Sequence, residues 1–224
     1  MCTTRQALRK TLADRQQQNA ELEQKVRGLE ARYREEVAPL EEQVLRVQRD
    51  HLRRAAQMHM RSARHRNAYH EAERAYNRFR EHHASSSTSD QRHKAAYRKA
   101  SKRCHPDRVS PQFRTQAEAT FQALESAYDA GHGAAVDAIA QALETWGFPV
   151  RERADAVPQR PLEDLQAAVD ELGDAIQHTQ RGKAYQALQE AGGDDVLLES
   201  RKKTLLRHLR TLKTVRESEG SGFR

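Results

Sequence analysis

Apolar positions fall into a four-three rhythm from the first turns of the chain. Leu8, Leu12, Arg15, Asn19, Leu22, Val26, Leu29 and Tyr33 follow alternating steps of four and three, the seam of a coiled coil. Asn19 on that seam can set register or partner number at some cost in stability. The step from Tyr33 to Val37 is again four, ahead of Leu40, Val44 and Val47, so the register shifts as it does at a stutter. Pro39 sits in the same place and removes a helix hydrogen bond, which predicts either a kinked helix or two separate ones. Helical patterning otherwise runs almost unbroken over residues 5–83. Beyond Arg46 the seam thins, and Tyr69, Ala72, Tyr76 and Phe79 form an aromatic stripe at helical spacing.

The segment ASSSTSD, residues 84–90, reads as a polar loop that ends in an N-cap, Ser89 or Asp90. Residues 91–104 carry Ala96, Tyr97, Ala100 and Cys104 on one helical face, with Lys94, Arg98, Lys99, Lys102 and Arg103 mostly elsewhere. His105-Pro106-Asp107 ends that helix. Ser110-Pro111 opens the next one as N-cap and first-turn proline, Ala117, Phe121, Leu124 and Tyr128 line it, and Gly131 can terminate it. A short helix over 134–146 precedes a connector rich in proline and charge, residues 147–161. Two further seams follow, Leu162, Leu165, Val169, Leu172 and Ile176, then Leu198, Leu205, Leu209, Leu212 and Val215. The glycine-containing turn between them predicts an antiparallel hairpin.

The expected fold is therefore all-α. Its regions are a coiled-coil segment over 1–83 with a basic second half, a helical hairpin over 84–131, a short helix and linker over 132–161, and a C-terminal hairpin over 162–218. The seams close either within one chain or on a second copy, so self-association is among the expected partners.

Composition supports this reading: 37% of residues are hydrophobic, 5% aromatic and 32% charged, a mixture suited to extended or paired helices. No apolar run approaches the length of a bilayer span, and the N-terminus lacks the apolar block of a secretory signal. The expectation is a cytoplasmic protein with no membrane partner. The net charge of +7 is concentrated: Arg46 to Arg108 holds 17 Lys/Arg against 6 Asp/Glu, which implies an acidic partner surface.

Candidate chemistry is sparse. Cys2 and Cys104 exclude a disulfide framework, and Cys104 and His105, as neighbours about 100° apart on a helix, do not converge on one atom. The histidines at 51, 59, 65, 70, 82 and 83 show no metal-site spacing with a third ligand, so no metal and no cofactor is expected. Nucleic-acid binding through the basic centre is disfavoured, because no groove-reading motif is present and the aromatic residues lie on apolar stripes.

The block from His93 to Ala130 resembles helices II and III of a J-domain, the module of the DnaJ family. The resemblance rests on Ala96-Tyr97-Arg98-Lys99 eight residues ahead of the motif, on His105-Pro106-Asp107 itself, and on Ala117-Glu118, Phe121, Leu124, Ala127 and Tyr128 downstream. It covers about residues 91–131. It implies a chain that catalyses nothing itself but binds a DnaK-type ATPase chaperone and accelerates its ATP hydrolysis. The implied contact residues are His105, Pro106, Asp107, Lys94, Arg98, Lys99, Lys102, Arg103 and Arg108. In that role Asp107 supplies a carboxylate to an arginine of the partner and His105 supports the tip by hydrogen bonding. The family's first helix is not visible immediately upstream; residues 68–82 are expected to replace it, packing Tyr69, Tyr76 and Phe79 on the hairpin. The competing reading is a coiled-coil scaffold that carries a J-like fragment without activity.

Overall fold

The computed structural model describes residues 2–84, 90–148 and 161–221, and no β-strand occurs among them. The helices are α1 (Cys2–Glu36), α2 (Ala38–Met58), α3 (Ala63–Ala84), α4 (Asp90–Cys104), α5 (Arg114–Asp129), α6 (Gly133–Thr145), α7 (Leu162–Arg181), α8 (Lys183–Ala191) and α9 (Asp194–Ser221), with a 3-10 turn at Pro111–Phe113. Most of the expected 84–90 loop and of the 147–161 connector lies outside the described residues.

Pro39 falls at the start of a helix, where its missing N–H has no helical acceptor to lose. Val37, still in the right-handed helical region, joins the two pieces: its N–H donates to the Tyr33 carbonyl at 2.9 Å, and its own carbonyl accepts from Glu41 at 3.1 Å. A second break at His59–Ser62, where the Ser62 N–H donates to the His59 carbonyl, interrupts the helix expected to run on to residue 83. Residues 51–66 contain no proline or glycine, so the usual sequence signal for a turn is missing there.

The chain divides into two compact units, one formed by Met1–Glu30 with Thr88–Ala187, the other by Ala31–Ser87 with Leu188–Arg224. In the first, Ala100, Cys104, Val109, Phe113, Ala117, Leu124 and Ala127 of the α4–α5 hairpin share a core with Ala13 and Ala20 of α1 and with Ala135, Val136, Ile139 and Leu143 of α6. A second core joins Leu12, Leu22 and Val26 of α1 to Leu165, Val169, Leu172 and Ile176 of α7. Arg15, a polar interruption of the α1 seam, donates to the Val169 carbonyl, and its guanidinium occupies the space that the absent Cβ of Gly173 leaves open.

In the second unit α2 packs against both α3 and α9. Tyr76 is buried beneath the Arg49 guanidinium, 4.5 Å from its ring centroid, and its hydroxyl donates to Glu42 at 3.3 Å. Arg201 of α9 holds Glu41, Lys202 holds Glu36, and Arg32 meets Asp195 at 2.8 Å.

Two expectations need correction. Tyr76 of the 68–82 stripe packs on α2, and the core of the α4–α5 hairpin is completed by α1 and α6 instead. The two C-terminal seams, expected to pair with each other, find their partners in N-terminal helices: α7 on α1, and α9 on α2. The physical reason is common to both. A seam specifies that a helix needs an apolar partner but carries little about which one, and α1 and α2 offer stripes of the same character.

Candidate functional site

The α4–α5 hairpin is held by small and aromatic side chains. Tyr97 and Tyr128 stack with ring centroids 4.3 Å apart, while Ala100, Cys104, Ala117 and Leu124 are fully buried between the helices. Burial pushes the Cys104 thiol up to about 12, and its Sγ donates to the Ala100 carbonyl at 3.4 Å. That thiol is a packing group with no thiolate character at neutral pH.

The turn between the helices is built by two hydrogen bonds and a ring contact. The Arg108 N–H donates to the His105 carbonyl at 2.9 Å, which closes a four-residue turn with Pro106 at its second position, where a fixed φ suits it. The Asp107 N–H donates to His105 Nδ1 at 3.2 Å, which leaves the ring proton of a neutral His105 on Nε2. The imidazole in turn stands edge-on to Phe121, 6.1 Å between centroids. His105, itself exposed, thus braces the turn, and the buried Val109 and Phe113 anchor its far end. The Asp107 side chain is 82% exposed, with Oδ2 3.7 Å from His105 Nδ1.

The basic residues of α4 divide into two sets. Lys99 bonds Glu144 of α6, and Arg103 donates to the Leu143 carbonyl at 3.1 Å with Glu144 at 3.8 Å. Two turns before, Arg92 and His93 approach Asp137 of the same helix at 3.7 and 3.3 Å. Lys99 foremost, and Arg103 after it, hold the Glu144 carboxyl below the ordinary glutamate range. Lys94, Arg98 and Lys102 lie on a different side and are exposed. Spaced four residues apart, they form a cationic stripe about 12 Å long at 1.5 Å per residue. Arg108 closes its end by donating to the Lys102 carbonyl at 3.3 Å.

Of the nine residues selected from the sequence, the structure gathers Lys94, Arg98, Lys102, His105, Pro106, Asp107 and Arg108 along one helix and its turn. Lys99 and Arg103 are committed to α6. Sequence reasoning passed over Asp137 and Glu144. The available signal was their isolation: they are the only carboxylates in AAVDAIAQALETW, seven residues apart and so on one face.

Among the described residues, no three or more His, Cys, Asp or Glu side chains gather as a metal ion would require, and no helix is long and apolar enough to cross a membrane. Comparison with family models, with curated proteins and with solved structures returned no match.

Proposed function

We propose that the chain is a J-domain-type co-chaperone, which docks the α4–α5 hairpin on a DnaK-type ATPase chaperone in the cytoplasm and accelerates its ATP hydrolysis. The observation that carries this reading is the exposed Asp107 carboxylate at the tip of a braced turn, set at the end of the Lys94–Arg98–Lys102 stripe.

The arrangement suits a two-part contact. Three cations along one helix face steer the hairpin toward an acidic groove, with an encounter rate that falls as salt rises. Asp107 then accepts charge-assisted hydrogen bonds from an arginine of the chaperone, a contact that needs fixed geometry because a bidentate pair is directional. His105 and Pro106 supply that geometry before binding, so little ordering cost remains at the moment of docking. No step of the reaction is performed by this chain; it biases a conformational equilibrium of its partner by binding one state better.

The test is the affinity of the full chain for an ATP-bound DnaK-type chaperone. Loss of a charged hydrogen bond in Asp107→Asn should weaken binding by about ten- to a hundredfold. An unchanged affinity, or no binding by the parent chain, would contradict the proposal.

A further inference from the structure

The break at His59–Ser62 creates a feature that the co-chaperone reading does not use. It turns a stretch that patterns as continuous helix into the tip of the α2–α3 hairpin. Residues 51–66 hold Arg53, Arg54, Arg61, Arg64 and Arg66 and no carboxylate. All five are exposed, and none is ion-paired with a carboxylate among the described residues. Arg66 folds back to the Met60 carbonyl, and His65 Nδ1 lies 2.8 Å from the Ser62 hydroxyl, so the turn is tied internally. At its apex Met58 and Met60 are 64% and 75% exposed, among the most exposed large apolar side chains of the described residues.

We propose that this tip docks on the anionic surface of a phospholipid bilayer. Two observations select the partner. The first is the choice of cation: between Lys25 and Lys94 the chain has no lysine, and every fixed positive charge is a guanidinium, whose planar fork matches a phosphate in a bidentate manner. The second is the pair of exposed thioethers in the middle of the charge. Flexible unbranched methionine side chains at the centre of a cationic tip fit a partner with hydrocarbon directly beneath its phosphates.

A nucleic acid offers phosphates too, but single-stranded bases require aromatic platforms. Two of the rings at the tip, His59 and His65, are stacked on each other with centroids 4.5 Å apart. That no helix among the described residues can cross a bilayer concerns spanning alone, and a tip that touches headgroups needs none. This site is independent of the Asp107 turn, so either assignment stands without the other.

The experiment is co-sedimentation of the full chain with vesicles of mixed phosphatidylglycerol and phosphatidylcholine, beside vesicles of phosphatidylcholine alone. The protein should pellet with the anionic vesicles only, and less so as salt rises. At about a fivefold contribution per surface cation, the triple change Arg61→Gln, Arg64→Gln, Arg66→Gln should weaken binding on the order of a hundredfold. Met58→Gln with Met60→Gln should weaken it severalfold and leave the salt dependence in place. Both variants alter exposed side chains, and an unchanged far-ultraviolet circular dichroism spectrum verifies the fold. Equal recovery with both vesicle types, recovery with neither, or full binding by the arginine variant would each overturn the proposal. So would capture by duplex DNA at concentrations where the anionic vesicles capture nothing, which would make the tip a nucleic-acid surface.

Discussion

Asp107, Arg98 and Lys99 lie within ten residues of one another, yet their surroundings assign them different work. Asp107 projects into solvent from a turn that His105 braces, Arg98 is exposed on the outward stripe, and Lys99 is bonded to Glu144. Arg98→Ala should therefore lower affinity for the DnaK-type chaperone severalfold, whereas Lys99→Ala should stay within about twofold of the parent, a contrast that titration at low salt measures. Comparable losses from both would mean that α6 does not partition the basic face. Below the turn, Leu124 is fully buried, and Leu124→Ala should cost about 2–5 kcal/mol in a denaturant titration. Cys104, buried with its thiol pushed up to about 12, should resist alkylation in the folded protein and react on unfolding. The tip was legible in the sequence because proline and the apolar spacing on either side of it act locally. The division of the lysines and arginines was not, since it depends on Glu144, forty-five residues from Lys99, and on α6 being folded against α4.

The helices themselves were largely readable, and their partners were not. Periodicity placed α4, α5 and α6 within a few residues of their observed ends, and Gly131 does end α5: at φ 71° it lets the His132 N–H reach back to the Ala127 carbonyl at 2.9 Å. Gly131→Ala should destabilise the chain by roughly 1 kcal/mol, because a Cβ strains the left-handed conformation. The seams of α7 and α9 resemble one another, and the pairing of each with an N-terminal helix is a long-range choice that a heptad does not encode. The contact between α4 and α6 also carries a pH dependence. Glu144 is held below the ordinary glutamate range, so its contribution is present above that range and is lost as pH falls below it. Protection of the α6 amides, measured relative to their intrinsic exchange rates, should fall on acidification through that window, and Glu144→Gln should remove this part of the response. A Glu144→Gln profile identical to the parent would show that the pair does not contribute.

At the scale of the whole molecule, the first unit is assembled from two distant stretches of chain, Met1–Glu30 and Thr88–Ala187. The α4–α5 hairpin lacks a complete core within its own segment: Ala13 and Ala20 of α1 join it, as do Ile139 and Leu143 of α6. A polypeptide limited to residues 84–131 should accordingly show little helix by circular dichroism, while one combining 1–30 with 84–187 through a flexible linker should fold. Cooperative unfolding of the short segment would contradict this. The charge of the chain follows the same plan, since its cations gather at the α2–α3 tip and along α4, two sites for which different anionic partners are proposed. The most direct test of the co-chaperone function is single-turnover ATP hydrolysis by a DnaK-type chaperone, measured alone, with the full chain and with the Asp107→Asn variant. A co-chaperone should accelerate hydrolysis clearly as the parent chain and fail to do so as the variant; equal rates in all three reactions would rule that function out.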